Sequence, residues 1–587
     1  MPLTFQLTNT SIAIVGVGPR GLYAVEQLFN KFSNLSPEST IHVTLFEPSV
    51  YAGSGNTWRV DQPDSNWLNI SERALRDLKG RKKFSFKGVV VSSFPSYSEW
   101  SDSEKKSNTD YYPPRKKLGA YLNERFKSFS KNLLKTPYLH LKPLKIEDLD
   151  YADGHFKLTD SNGNTFHFNE VLLTIGHQPT NTSKEILKWQ HRAEETCKCT
   201  LYPEAYPTER LIKSNKISSD SKVGIRGFGL SMIDILRALT CDRGGKFLPT
   251  DDDIYKYRFE GNDRIPSKIV PFSLDGLPLV PKPLGEKIDN IYRPTQEEKN
   301  RFFESVRKVA QNKTEVEGNL FLIEAMAPIA VRVYLDFEEK RMDCLSSRNE
   351  LYEVAVTWLN DENYKHRSLL KADTPTLVLI EKYVSMALDL EPISFDYCMG
   401  QVWRHLQSLW YQAFSHSSLP HETIASVIKL HERIKRYSYG PPIESMQQLL
   451  ALIDAGIVDL NYLKDPKVEL VQDGWSLQKE NRKVIVDVMI NSVLDSPKVL
   501  EVSSPLVVNL LNHELIKPVH SELGIDTYEN ALVKRSENDE KISLAVLGRL
   551  SKGSVVGVDA ILECFGKRIE DWAEGVLERL GNRNTDS

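Results

Sequence analysis

Apolar positions follow two different rhythms along this chain. Near the start they form short, mostly apolar runs, at residues 11–15, 41–46 and 171–175. Runs of that length beside glycine read as buried strands of a parallel sheet. From 295 to 457 the apolar residues recur instead at every third and fourth position, as in 297–311, 376–388, 397–414 and 421–437. That is the period of helices. Short runs return at 484–490 and 544–547, and a last helix is expected from 558. The pattern predicts an α/β protein: two Rossmann-like dinucleotide-binding domains with a large all-helical insertion. The expected boundaries are 1–218 for the first part of the first domain, 219–292 for the second domain, 293–460 for the insert and 461–587 for a return to the α/β core.

Glycine spacing gives the first two runs their meaning. Gly16, Gly18 and Gly21 stand as GxGxxG between the run 11–15 and a helix expected over 22–32. The first glycine allows a tight turn, the second lets a pyrophosphate approach the backbone, and the third lets helix and strand pack closely. The helix start offers free N–H groups and a positive dipole end to phosphate. The next strand ends in Glu47, placed to accept hydrogen bonds from an adenosine ribose. The loop that follows carries Trp58, Asp61, Gln62 and Asn69, at the edge of the sheet where a ligand lies. Residues 96–112 read as a flexible polar excursion, 118–129 as a helix, and 156–168 as a hairpin about Asn162-Gly163.

A second glycine turn, Gly227-Phe228-Gly229-Leu230-Ser231, again sits between a strand and a helix, with Met232 where a third glycine is expected. Asp275, after the strand 268–272, is placed to take the ribose hydroxyls of NAD and repel the extra phosphate of NADP. Arg243 and Lys246 argue the other way, so the choice between NADH and NADPH stays open. In the helical stretch, Trp403, Arg404, Arg433 and Arg436 are candidates for binding an acidic substrate.

Composition narrows the classes. The chain has 587 residues, 26% of them charged, with a formal net charge of −4, so nothing argues for nucleic acid or an anionic membrane surface. No apolar run is long enough to span a bilayer, and residues 1–10 lack a signal-peptide pattern. The six cysteines have neither disulfide-framework nor paired-zinc spacing, and Cys197 and Cys199 read as incidental thiols. A reducing cytoplasm is expected. No serine–histidine–acid arrangement, metal motif or P-loop is visible.

Taken together the motifs resemble the FAD-NAD(P)-binding family of bacterial flavoproteins, distant relatives of flavin monooxygenases that N-hydroxylate amino-acid amines. The resemblance rests on the segments 16–21, 58–63 with 68–69, 174–179, 226–231, 243–247, 439–442 and 546–549. It implies FAD in the first site and NADH or NADPH in the second. It places Gly16, Gly18 and Gly21, with Pro19 and Arg20 between them, and Glu47 on the adenosine diphosphate of FAD. Thr174, Gly176, Gly548 and Arg549 would lie further along FAD, with Trp58, Asp61, Gln62 and Asn69 on the flavin side. Gly227, Gly229, Ser231 and Asp275 fall to the nicotinamide dinucleotide. Two departures stand out: the segment 273–276 lacks the arginine usual there, and the FxGxxxHxxxW fingerprint of Baeyer–Villiger enzymes is absent. The function implied is an NAD(P)H-reduced flavin monooxygenase acting on a small amine with molecular oxygen. A plain reductase or oxidase, and a non-catalytic redox scaffold, remain as alternatives. His177, beside the third strand's turn, reads as structural before catalytic.

Overall fold

The computed structural model describes residues 9–33, 40–101, 109–196, 198–250, 255–312, 316–494, 496–535 and 541–583. The architecture is mixed α/β, with parallel sheets and many helices. One sheet has five parallel strands in the order Leu544–Val546, Glu170–Leu173, Asn9–Val15, Thr40–Phe46 and Leu139–Lys142. The central strand is in register with its neighbour through Ile12 opposite Val43 and Ile14 opposite Leu45, all fully buried. A strand covered on both faces has no reason to alternate, which is why it reads as a continuous apolar run.

A second parallel sheet has the order Thr200–Tyr202, Val488–Asn491, Lys222–Arg226 and Lys268–Phe272. The two sheets are interleaved in sequence. Leu544–Val546 returns to the edge of the first, and Val488–Asn491 is inserted into the middle of the second. Between them seven helices of twelve or more residues run from Gln296–Ala310 to Ile443–Asp454, packed through a core that includes Trp403, Trp410 and Tyr397.

Three expectations change. The run at 484–490 is not one strand. Arg482–Val486 closes a three-stranded antiparallel sheet, the chain bends at Asp487, and Val488–Asn491 enters the second parallel sheet. The Asp487 carboxylate, accepting from the Lys222 backbone N–H at 2.6 Å, pins that bend. The last helix begins at Lys567 and not at 558, because a 3-10 turn, Leu562–Phe565, and Gly566 come first. In the segment 96–112, Ser96 and Glu99 form a capping box that starts the short helix Tyr97–Trp100; residues 102–108 lie outside the described residues. Other elements lie close to their expected places, including the antiparallel pair His155–Asp160 and Thr165–Phe168. No described helix is long and apolar enough to cross a membrane.

The first glycine-turn helix, Pro19–Phe32, is fastened by a buried charge cluster. Glu26 accepts from Arg125 Nη2 at 2.7 Å and also from Arg81 Nη1, and both arginines are at least nine-tenths buried. Arg125 belongs to the helix Arg115–Leu133, so one carboxylate ties the first helix to that helix and to the loop bearing Arg81. Removing one partner of a buried cluster leaves uncompensated charge, at a cost of about 3–5 kcal/mol. Glu26→Gln is therefore expected to lower the melting temperature sharply, with FAD release moving with it, as read by flavin fluorescence during a thermal scan.

Candidate functional site

Because the first sheet is parallel, the carboxyl ends of its strands share one edge. Three neighbouring strands end there in turns holding Gly16, Gly176 and Gly548, and a fourth ends at Glu47. Gly16 has φ +90°, and a Cβ there would lie 2.7 Å from the Thr174 carbonyl oxygen. At Gly21 a Cβ would meet the Gly16 carbonyl oxygen at 2.3 Å. These two glycines are demanded by the protein's own packing. Gly18 is different: the nearest atom to a Cβ there would be Gly55 Cα, at 3.7 Å. Space is kept open beside the N-cap of a helix that has no side-chain cap and no acid in its first turn. A diphosphate fits such an opening.

The surroundings are held by backbone. The Thr174 hydroxyl donates to the Gly16 carbonyl. Glu47 accepts from Val17 N at 2.7 Å and Ser49 N at 2.9 Å, one bond to each carboxylate oxygen, so each oxygen keeps acceptor capacity for a ribose hydroxyl. Arg20 reaches away to the Val558 carbonyl and packs beside Gly548, while Pro19 opens the helix. Arg549 donates to Asp559 at 2.6 Å, and with Gly176, His177 and Gln178 it lines a small cleft of about 190 Å³. The turns at 176 and 548, far apart in sequence, therefore share one cavity. The residues present fit FAD.

The second turn repeats the pattern with a difference. Gly227 has φ +118°, and a Cβ there would collide with the Ser492 hydroxyl at 2.4 Å, where the inserted strand crosses over. Gly229 caps the helix Leu230–Leu239, again without a side-chain cap, and a Cβ there would meet nothing within 4 Å. Ser231 and Met232 are buried in its first turn. Asp275 is exposed, its carboxylate accepting from Leu277 N at 3.0 Å with Arg436 3.6 Å away. Arg243, expected to favour the extra phosphate of NADP, is turned inward: its guanidinium donates to the carbonyls of Arg264, Leu211 and Ile217.

Beside the second turn's helix lies a small cleft, lined by Trp67, Leu68 and Asn69 from the loop after the second strand, by Arg115, by Leu230, Ile233, Asp234 and Arg237, and by Pro441, Pro442 and Ser445. The loop is anchored at many points. The Trp58 carbonyl packs onto Gly119, where a Cβ would be 1.8 Å away, and Gln62 donates to the carbonyls of Thr57 and Arg59. Arg59 pairs with Asp61 at 3.0 Å and with Glu209, while Asn66 donates to Thr208 at 3.2 Å. Asp61 is half exposed and faces its own loop partner.

Charge is concentrated at this cleft. Arg115 donates to Asp234 at 2.6 Å, and Tyr206 donates to the same carboxylate. Arg237 lies 3.7 Å above the Trp67 ring, and burial pulls its guanidinium down to about 10. Lys282 donates to the Asn69 carbonyl. It is partly accessible by area but densely surrounded; burial, then the charge of Arg404, lower its ammonium to about 7 against the pull of Asp289 and Asp110. Burial pushes Asp289 up, but Arg404 and His405 outweigh it and hold the carboxyl well below its usual range.

Of the four helical candidates, none lines this cleft. Arg404 is committed to Asp289 and Gln401. Arg433 donates to the Leu359 carbonyl, and Arg436 sits near Asp275 and Glu362. Trp403 is 1% exposed, stacked near His431 with its indole N–H unpartnered. The cleft-lining Arg237 and the neighbouring Lys282 were missed in the sequence. A signal existed for each: Arg237 is the one basic residue in the otherwise buried run Ser231–Leu239, and Lys282 stands between Pro281 and Pro283.

Residues 13–178 match the family model described as FAD-NAD(P)-binding. A nitrosuccinic acid synthase of Aspergillus oryzae is 24% identical over 580 residues, covering 89% of this chain and 84% of the relative. An L-aspartate N-monooxygenase (nitrosuccinate-forming) of Streptomyces davaonensis is 23% identical over 261 residues, 40% of each chain. Among solved structures, an ornithine N-hydroxylase of Kutzneria sp. 744 aligns over 97% of this chain and 100% of its own, at TM-score 0.45 and 10% identity. Residues 13–178 thus carry the mark of an FAD-NAD(P)-binding region, and the chain is similar over most of its length to the enzyme named as a synthase and over part of it to the one named as an N-monooxygenase.

Two expectations follow from the geometry. Gly18→Val and Gly229→Val should both fold, since the backbone at each is extended and the space is open. Gly18→Val is expected to purify without FAD. Gly229→Val is expected to keep FAD but lose at least about tenfold in flavin reduction by NAD(P)H, read by anaerobic stopped flow. For Lys282, the folded protein holds a neutral amine above about 7, whereas the unfolded chain stays protonated to about 10.4. Folding releases a proton in that window, so this residue's contribution to stability rises with pH there. The melting temperature of Lys282→Met relative to wild type is expected to fall steadily from pH 7 to pH 10.

Proposed function

We propose that this protein N-hydroxylates the primary amine of an acidic amino acid, with aspartate the first to test. The balanced reaction is R–NH2 + O2 + NAD(P)H + H+ giving R–NHOH + H2O + NAD(P)+. The observation that carries the reading is the cleft where the loop 67–69 meets the second glycine-turn helix, with Arg115 and Arg237 in its wall and Lys282 bonded to its Asn69. A substrate held there would sit between the two dinucleotides. The relatives named for nitrosuccinate and L-aspartate support the amine and the acidic side chain.

In this reading the two parallel sheets are the two dinucleotide-binding units, bounded as the sequence suggests, and the helical segment 293–460 is an insert that closes the cleft through Pro441, Pro442 and Ser445. FAD, when bound and reduced by NAD(P)H, supplies the activation of oxygen. The chain does the rest. The turn from Gly16 to Gly21, through the backbone N–H groups of Gly18, Arg20 and Gly21 with Pro19 opening the helix, and the turns at Thr174, Gly176, Gly548 and Arg549 bind one dinucleotide, with Glu47 on its ribose. Gly227, Gly229, Ser231 and Asp275 bind the other. Trp58, Asp61, Gln62 and Asn69 form the wall on the flavin side. Arg404 braces Asp289, which with Asp110 tunes Lys282. An amine is a nucleophile only when unprotonated, and Lys282 Nζ, near neutrality, is matched to receive the substrate's ammonium proton.

The test is a coupled assay of the FAD-loaded enzyme with NADH and NADPH, oxygen uptake, peroxide and product mass across amino acids and amines. The expected result is aspartate-dependent NAD(P)H consumption, with a product heavier by one oxygen and little peroxide. NAD(P)H oxidation to peroxide without an oxygenated product would support a plain oxidase. FAD retention without turnover would support a redox scaffold.

A further inference from the structure

The helix Leu230–Leu239 carries a cation whose surroundings do not neutralise it. Arg237 is 4% exposed. Its Nε donates to Gln448 Oε1 at 2.9 Å and its Nη2 to Ser445 Oγ at 2.7 Å, both neutral partners. Among the described residues no hydrogen bond reaches Nη1, and no carboxylate pairs with the guanidinium. Asp234, one turn earlier, is already engaged by Arg115 and Tyr206. Glu444 is close enough to be influenced by Arg237, but burial raises its carboxyl, and it accepts instead from Gln448 Nε2 at 3.4 Å. A buried charge normally has a partner of opposite sign. Stacking on Trp67 and two neutral acceptors orient this one while leaving one end of its fork unbonded at the wall of the cleft.

The orientation is fixed from three directions. Trp67 comes from the loop after the first glycine turn's neighbouring strand, Arg237 from the second glycine-turn helix, and Ser445 and Gln448 from the helix Ile443–Asp454. The edge that remains, Nη1 with the second N–H of Nη2, can give a carboxylate two parallel N–H bonds.

We propose that Arg237 is the receptor for the side-chain carboxylate of the substrate, and so the residue that makes this enzyme select a dicarboxylic amino acid over its neutral isostere. The inference rests on the reading of the cleft as the substrate site. Ser445 and Gln448 are positioning residues that hold the guanidinium, and Trp67 screens it from water on one face.

The test has a binding arm and a turnover arm, both with FAD-loaded protein. Succinate, a dicarboxylate without an amine to oxidise, is titrated calorimetrically into wild type and into Arg237→Gln and Arg237→Lys. Succinate should bind wild type, lose at least about thirtyfold in Arg237→Gln, and be intermediate in Arg237→Lys, as expected when one member of a buried charge pair is removed. In turnover, the ratio of kcat/KM for aspartate to that for asparagine should fall at least about tenfold in Arg237→Gln through loss on aspartate alone. A merely structural role would lower both substrates together. Should Arg237→Gln fail to retain FAD, Arg237→Lys and Ser445→Ala carry the same comparison. Unchanged succinate affinity in the folded variants, no succinate binding to wild type, or a loss of NADP+ affinity with succinate affinity intact would each overturn the assignment. Succinate binding that depends on Arg237, in a protein that oxygenates no amine, would uphold the anion site and sink the proposed reaction instead.

Discussion

The Thr174 hydroxyl donates to the carbonyl of Gly16, and that carbonyl is also the atom against which Gly21 packs at a distance no Cβ allows. The third strand's turn, the first strand's turn and the first helix are thereby locked to one another through backbone. A dinucleotide phosphate needs close access to N–H groups, and side chains at the turn would deny it. With the strands parallel, the same condition falls on their shared edge, so the turn at Gly548 joins the same rim from the far end of the chain. The Glu26 cluster serves this rim from behind by fixing the helix whose N-terminus forms it.

The second parallel sheet also carries a glycine turn between strand and helix, but it is closed differently. Where a third glycine would let helix and strand approach, Met232 fills the core, and the tight contact shifts to Gly227 against Ser492. The strand Val488–Asn491 is what creates that contact, and it arrives after the whole helical segment. Each parallel sheet thus takes a strand from the last quarter of the chain, which couples the two sheets, and the helical segment lies between those strands and the earlier ones in sequence.

The cleft beside the second turn's helix illustrates how burial and charge are balanced. The acids and bases in and behind its wall are distributed unequally: Arg115 has Asp234, Arg404 has Asp289, and Arg73 has Asp110, while Arg237 has only neutral hydrogen-bond partners. Lys282 avoids full charge near neutrality by a lowered proton affinity. Arg237 cannot take that course at physiological pH, since even its lowered value lies near 10. Burial of a permanent cation is tolerable here because an aromatic face and two polar side chains replace part of its hydration.

The glycine turns, the parallel strands beside them and the helical middle were all legible from residue order. Each depends on local geometry: a short apolar run, a turn that admits no side chain, a repeat of three and four. Gly16, Gly21, Gly227 and Glu47 needed no neighbours from afar to be singled out. The strand break at Asp487 was not legible, because its cause is the backbone of Lys222. Nor was the late start of the last helix. The residues proposed for the substrate were the least accessible of all. Trp403, Arg404, Arg433 and Arg436 have the right chemistry for an acidic ligand but meet Asp289, backbone carbonyls and each other's helices first. Arg237 and Lys282 looked like incidental charges in a buried helix and a proline-flanked loop. Whether a cation is neutralised or left available depends on which carboxylates reach it, and that is a property of contacts between segments hundreds of residues apart.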